Sequence, residues 1–355
     1  MDNEHIDRLV IQRDAGLSEI LKKMDQGQKK VLFVVDENEK IFGVITDGDI
    51  RRWIIKSGGL QGKAEDFCNR NPIVVDENYN VEKVKKIMVK KGIEAIPVMI
   101  KDRIKDILFW DTLFSETNNL TIKSSINSPV VIMAGGKGTR LDPFTRILPK
   151  PLIPIGDKPI IELIIDRFRK YGVKKYYLSL NHKAAAIKAY FEDQEIDYNI
   201  QYICEEKPLG TAGALKLVGG KINESFFVSN CDILIDTDYQ ELMEYHLKNQ
   251  NEITLVASIK NFPIPYGVCE MNGGGRLSHI REKPDFDFLV NTGLYILNPT
   301  VLKYIPDNSY YDMTSLIEDV RESSKIGVFP ISEKAWIDIG QWEEYKNAMK
   351  TLSLD

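Results

Sequence analysis

Apolar positions along this chain follow two alternating periods, and the way they alternate separates a first part from a second. Leu17, Ile20 and Met24 recur at helical spacing, and so do Val81, Val84 and Met88. Each stripe precedes two apolar runs of strand length. These are Val31–Val35 and Phe42–Thr46 in the first case, and Glu94–Ile100 and Ile104–Phe109 in the second. Turn formers separate the members of each pair, Asp36-Glu37-Asn38-Glu39 and Lys101-Asp102. The two copies superpose at an offset of 64 residues, which becomes 63 where Val44-Ile45 falls on Ile107-Leu108. The pattern predicts a tandem repeat of helix, strand, turn and strand.

Beyond residue 128 the pattern changes. Pro129–Ala134 is a short continuous apolar run, as expected of a strand buried on both faces. Ile161, Ile164, Ile165 and Phe168 then mark one stripe of a helix over 158–171. Tyr176–Leu180 predicts a strand, Ala184–Phe191 a helix and Asn199–Cys204 another strand. Alternation of this kind predicts an α/β domain, with helices on both faces of a mainly parallel, doubly wound sheet. The stretch between Ser115 and Ser128 is polar and aperiodic. We therefore expect domains at 1–118 and 128–355 with a linker at 119–127, a division that suits the 355-residue length.

The first candidate chemistry follows the strand 129–134. Gly135, Gly136 and Gly138 surround Lys137 and precede Thr139 and Arg140. Glycines this dense let backbone N–H groups approach a polyphosphate without side-chain obstruction. The spacing excludes a Walker A loop, and Leu141 stands where the dinucleotide fingerprint needs its third glycine. The full string Gly135-Gly136-Lys137-Gly138-Thr139-Arg140-Leu141-Asp142-Pro143-Phe144-Thr145, followed by Leu148-Pro149-Lys150-Pro151-Leu152, resembles the signature of sugar-1-phosphate nucleotidyltransferases. The resemblance covers the remaining chain and implies a Rossmann-like fold. It also implies NTP contacts from Ala134, Gly135, Gly136, Gly138, Thr139, Arg140 and Lys150, the two cations stabilising charge gathered at the α-phosphate.

Later motifs extend the resemblance in order. Glu206-Lys207-Pro208-Leu209-Gly210-Thr211 matches the base-recognition segment, which implies NTP contacts from Glu206, Gly210 and Thr211; capping a helix is a second account of Thr211. Asp232 ends the apolar run Phe226–Cys231, where ligands of open α/β sheets collect. Asp236 and Asp238 read as helix-start and loop residues. Tyr266-Gly267 opens a hairpin turned at Asn272–Gly275, and its return leads to Glu282-Lys283-Pro284. Gly267, Glu282, Lys283, Asn291 and Thr292 are the residues that the family likeness assigns to the sugar phosphate. In a regular strand Glu282 and Lys283 would point oppositely. Trp336-Ile337-Asp338-Ile339-Gly340 resembles the segment bearing a second metal carboxylate, so that Asp232 and Asp338 would share Mg²⁺. Arg140, Lys150, Asp232 and Asp338 are thus the implied catalytic set.

The first half resembles a tandem pair of cystathionine-β-synthase-type (CBS) modules over about residues 5–118, chiefly through Gly43–Ile50. In that family a Thr-x-x-Asp binds an adenine nucleotide, which implies AMP or ATP at Thr46 and Asp49. Capping of a helix beginning at Ile50 accounts for the same two residues. Phe109 and Thr112 replace them in the second copy. Together the halves look most like glucosamine-1-phosphate guanylyltransferases of legionaminic acid pathways. The expected donor is then GTP and the acceptor glucosamine 1-phosphate. Uridylyl-, thymidylyl- or mannose-1-phosphate guanylyltransfer are alternatives of the same fold, and a non-catalytic nucleotide-sensing subunit is an alternative of another class.

Composition narrows the partners. The net charge of −5 argues against nucleic acid, and no run approaches the ~18 apolar residues of a membrane span. Cys68, Cys204, Cys231 and Cys269 are scattered, outside any zinc spacing, as expected of reduced thiols in the cytoplasm. None of the four histidines falls in a motif. The CBS pair suggests a homo-oligomer.

Overall fold

The structure is a computed structural model that describes residues 6–27, 29–114 and 125–352. Of the expected linker, 119–124 lie outside the described residues. Two compact units emerge, one holding residues 1–121 with 259–288, the other 122–258 with 289–355.

In the first unit the repeat is visible strand by strand. Strand β1 (Val10–Gln12) runs parallel to β2 (Val31–Val35), which pairs antiparallel with β3 (Ile41–Thr46). In the second copy β4 (Val75–Asp76), β5 (Ala95–Ile100) and β6 (Arg103–Phe109) repeat that arrangement. The register slips between Val34 and Val35, and again 64 residues on, between Val98 and Met99. Helix α1 (Leu17–Gly27) buries Leu17, Ile20 and Met24. Its counterpart α3 (Val81–Lys91) buries Val84 and Met88 but leaves Val81 exposed. Helix α2 (Asp47–Ser57) begins three residues before the predicted start, because Thr46 is its N-cap. Ile259 joins the core of the first copy beside Ile107 and Phe109.

The second unit is built on a sheet whose first strand, β7 (Val130–Met133), is buried throughout. Helix α4 (Ile160–Arg169) lays its predicted stripe, Ile161, Ile164, Ile165 and Phe168, into the same core. Strands β8 (Lys175–Leu180) and β9 (Asn199–Cys204), with helix α5 (Ala184–Glu192) between them, continue outward from β7 in parallel. The chain then returns, and β10 (Phe226–Asn230) pairs parallel with β7 on its other side. Further strands follow along the chain: β11 (Ile233–Ile235), then β12 (Ile253–Pro263) after helix α6 (Tyr239–Lys248), and later the hairpin β13 (Val268–Asn272) and β14 (Arg276–Arg281). Strand β15 (Asp285–Leu297) lies antiparallel to β10, and β16 (Ile326–Ile331), after helix α7 (Met313–Val320), parallel to β12. Seven strands make the order β9-β8-β7-β10-β15-β12-β16. The reversal of direction between β8 and β10, on either side of β7, is a topological switch point. In open sheets of this kind ligands bind at such a point, beyond the carboxyl ends of the strands.

Candidate active site

Two loops leave the switch point. The first follows β7 and is drawn against its neighbours by the Ala134 N–H, which donates to Ser179 O at 2.9 Å. Gly135 is required by close approach, since a Cβ there would lie 2.7 Å from Glu205 Oε1. Gly138 is required twice, by its φ of 66° and by Lys150 Cβ, which an added Cβ would meet at 2.8 Å. The loop closes in a 3₁₀ turn, Thr139–Leu141, that anchors buried Leu141 and leaves Arg140 exposed. Lys150 is only 7% exposed, and its ammonium pairs with Asp232.

The second loop begins with Asp232. Antiparallel pairing of β11 with β17 (Trp336–Asp338) sets Ile233 opposite Asp338. The Ile339 N–H donates to Asp232 O at 2.8 Å, and the Gly340 N–H to Asp338 Oδ1 at 2.7 Å. Burial pushes the Asp338 carboxyl upward; the Gly340 N–H opposes the shift and the charge of Asp232 adds to it. A Cβ on Gly340 would lie 2.8 Å from Asp338 Oδ1, 2.9 Å from Asp232 Oδ2 and 3.6 Å from Arg140 Nη2. The glycine thus keeps open the point where both carboxylates and the arginine converge.

These residues fit a divalent metal. No group of three or more His, Cys, Asp or Glu occurs among the described residues, so the candidate ligands are the two aspartates. A site of few carboxylates, completed by substrate phosphates, is the kind a hard cation accepts.

The other predicted residues sort differently. Glu206 is exposed, whereas Glu205, which sequence reasoning passed over, is engaged on every side. Its Oε1 accepts from Ser179 Oγ at 2.7 Å, its Oε2 from the Leu209 N–H at 3.0 Å, and its carbonyl from Asn181 Nδ2 at 2.8 Å. Its position at a strand's carboxyl end, like that of Asp232, was the available signal. Gly210 has φ 78° and packs against Tyr311 O, which a Cβ would meet at 2.6 Å. Thr211 does not cap its own short helix; Leu209 occupies that N-cap. Its hydroxyl instead accepts from the Met313 N–H at 2.9 Å, at the start of α7. Asp238 caps α6, as expected for a helix-start residue, accepting from the Gln240 and Glu241 N–H groups.

Of the sugar set, Gly267, Glu282 and Lys283 belong to the first unit, Asn291 and Thr292 to the second. Glu282 Oε2 lies 3.0 Å from where a Gly267 Cβ would sit. Strand β14 stops at Arg281, and Lys283 takes φ 44°, so the regular-strand expectation for this pair fails. Asn291 Nδ2 donates to the Tyr295 hydroxyl at 2.8 Å, and Thr292 Oγ1 to Val256 O at 2.8 Å. In the first unit Asp49 Oδ2 accepts from the Thr46 N–H and hydroxyl at 2.9 and 2.6 Å, while Arg52 holds its other oxygen at 2.7 Å. Together with the Asp49 N–H donating to Thr46 Oγ1, this is a capping box.

An open sheet with a glycine loop, two cations and two carboxylates at its switch point defines a class that handles phosphorylated nucleotides. The nucleotidyl transferase family model matches residues 129–353, and the chain belongs to that family. CBS domain models match residues 5–56 and 64–108. Over 225 residues the chain is 35% identical to the mannose-1-phosphate guanyltransferase of Aspergillus fumigatus, a match covering 61% of each chain. It is 30% identical over 240 residues to the UTP–glucose-1-phosphate uridylyltransferase of Synechocystis, covering 62% of each. The chain thus spans about three fifths of the length of these relatives. The crystal structure of HddC from Yersinia pseudotuberculosis is similar with a TM-score of 0.51 at 27% identity, over 63% of this chain and 99% of that one. Among the described residues no helix is long and apolar enough to cross a membrane.

Proposed function

We propose that this protein transfers a nucleotidyl group from GTP to a sugar 1-phosphate, giving a nucleoside-diphosphate sugar and pyrophosphate. The convergence of Arg140, Asp232 and Asp338 on the space beside Gly340, with Lys150 paired to Asp232, carries this reading. A phosphate oxygen of the sugar phosphate attacks the α-phosphorus in line, and the bond to the pyrophosphate oxygen breaks. The nucleophile is already an anion, so no side chain need be deprotonated. Arg140 and Lys150 offset the charge that accumulates on the α-phosphate, in a site whose geometry is set before substrate arrives. Asp232 and Asp338 would hold Mg²⁺, which supplies charge neutralisation and orients the phosphates.

Guanylyl specificity is supported by the names of fungal relatives and by the likeness to HddC solved with GMP-PN, TM-score 0.50. Glucosamine 1-phosphate is the acceptor we favour from the motif pattern. Mannose 1-phosphate is the second reading, favoured by the same relatives' names, and uridylyl transfer has support in the Synechocystis relative. A matrix of NTPs against sugar 1-phosphates, scored by pyrophosphate release with Mg²⁺, should give its highest rate with GTP. If folded protein releases none with any pair, the transfer reading is lost.

Regulation belongs to the same proposal. Within the first unit, Lys22 of α1 pairs with Asp285, and Asn261 Nδ2 lies 3.5 Å from Ser18 Oγ and 2.8 Å from Asp287 Oδ1. Residues 261 and 285–287 flank the excursion that bears Glu282 and Lys283, so these candidate sugar-binding residues share one compact unit with Thr46 and Asp49, where an adenine nucleotide would bind. Initial rates unaltered by saturating AMP and ATP would remove this role. We further assign the protein to the cytoplasm, as a homo-oligomer through its CBS pair; light scattering of the full chain tests the latter.

A further inference from the structure

The segment carrying Arg140 has little backbone structure of its own. Between β7 and Ile153 the chain forms only the 3₁₀ turns Thr139–Leu141 and Lys150–Leu152 and the single helical turn Phe144–Ile147, before a two-residue strand pair, Pro154–Ile155 with Lys158–Pro159, leads into α4. A loop of such short pieces cannot hold a guanidinium at fixed distance from a phosphate by its own hydrogen bonds. Two side chains from remote parts of the chain supply the restraint. Trp342 opens the last helix, α8 (Trp342–Leu352), and its Nε1–H donates to Asp142 O at 2.8 Å. Its ring packs on Phe144 with centroids 5.0 Å apart, and Tyr345 closes the cluster at 5.9 Å from Trp342 and 6.2 Å from Phe144. From the other side Lys183, itself at φ 55°, donates through Nζ to Thr145 O at 2.9 Å and Arg146 O at 2.7 Å.

The sequence position of Trp342 matters as much as its hydrogen bond. It follows Gly340 by two residues and Asp338 by four, while its acceptor, Asp142, follows Arg140 by two. One short strap therefore bears the second carboxylate, the glycine that leaves room beside it, and the indole that restrains the arginine loop. We propose that Trp342 is a positioning residue that sets Arg140 against the carboxylate pair, with Lys183 bracing the same loop from the opposite side. Loop placement and carboxylate placement then act as one unit toward the triphosphate. Electrostatic stabilisation depends on charges held in place beforehand, and a displacement of about 1 Å at such a site can cost up to about a hundredfold.

The inference rests on the nucleotidyl-transfer reading of the loop, and the test separates the two. Trp342→Phe retains the ring contacts and removes the N–H. It should raise KM for the NTP by about 5–10-fold, the effect of one buried hydrogen bond, and raise the Mg²⁺ concentration giving half-maximal rate. KM for the sugar 1-phosphate should stay within about twofold of wild type, since this bond touches only the triphosphate loop. A merely structural role would shift the melting temperature and both KM values together, and that result overturns the proposal. So does an unchanged KM for the NTP. Lys183→Gln should show the same split, which keeps the test open if Trp342→Phe does not fold. Arg140→Ala is the control: if it leaves KM for the NTP unaltered, the reading of the loop fails; if it raises KM and Trp342→Phe does not, only the positioning role fails.

Discussion

Asp49 and Asp232 both lie just past the end of an apolar strand, and the chain uses them in opposite ways. Every partner found for Asp49 is within three residues: Thr46 supplies an N–H and a hydroxyl, and Arg52 a guanidinium. The carboxylate is satisfied by its own helix start. Asp232 pairs instead with Lys150, 82 residues away, and shares the space at Gly340 with Asp338. A carboxylate neutralised locally mainly stabilises its helix. Asp232, held beside a second carboxylate with a single lysine against it, keeps a like-charge repulsion that a bound cation would relieve.

The comparison breaks if the two aspartates respond alike to removal. Asp232→Asn and Asp338→Asn should each lower the rate of pyrophosphate release by about 10²–10³-fold at saturating Mg²⁺, because each removes a carboxylate that would hold the metal against the reacting phosphates. Turnover like wild type would take that residue out of the metal site.

A buried titratable group with neutral partners sharpens the contrast. His246 sits between Thr254 Oγ1 at 2.9 Å and Ser225 Oγ at 3.2 Å, and burial pushes its pKa down to about 4, with Glu252 opposing. The unfolded chain takes up a proton near pH 6.5, which the folded chain refuses until about pH 4. This contribution to stability is therefore whole above pH 6.5, falls as pH drops through that window, and is spent near pH 4, a loss of order 3 kcal/mol. Urea midpoints measured across the window should fall in wild type and fall less in His246→Gln.

Gly340→Ala tests whether the close approach of the two carboxylates at residue 340 matters. The methyl group would press on both carboxylates, and kcat should fall by about 10–100-fold with the melting temperature nearly kept. Near-normal kcat would mean that the space has no catalytic use. The smallest effect is expected at Thr46→Ala, which removes a cap and should cost about 1 kcal/mol in urea unfolding. Calorimetry with AMP on the same variant separates a cap from a ligand contact: binding retained at wild-type affinity would leave Thr46 as a cap alone.

Much of the fold was legible because its signals are short-ranged. The stripe Ile161, Ile164, Ile165, Phe168 announced α4, and the offset of 64 residues announced the repeat whose two copies share a register slip. The glycine loop could be read because Gly138 answers a backbone need at its own position. The capping account of Thr211 failed for the opposite reason: its hydroxyl serves Met313, 102 residues on, which no local pattern announces. Glu205 was hidden beside Glu206, since two adjacent carboxylates look alike until the ends of β8 and β9 are brought together.

By itself the sequence announced the alternation of elements, the two halves and the glycine loop, which rest on spacing within a few residues, where helix and strand geometry dictate which side chains are neighbours. The two cations and two carboxylates were singled out by the family resemblance, not by local spacing. The tertiary structure alone decided that Gly340 sits tightly against both carboxylates, that Trp342 and Lys183 bond to the loop, and that residues 259–288 pack with the N-terminal half. Those facts depend on the register of β11 against β17 and on contacts between residues 37 or more apart in the chain, which are set when the core closes.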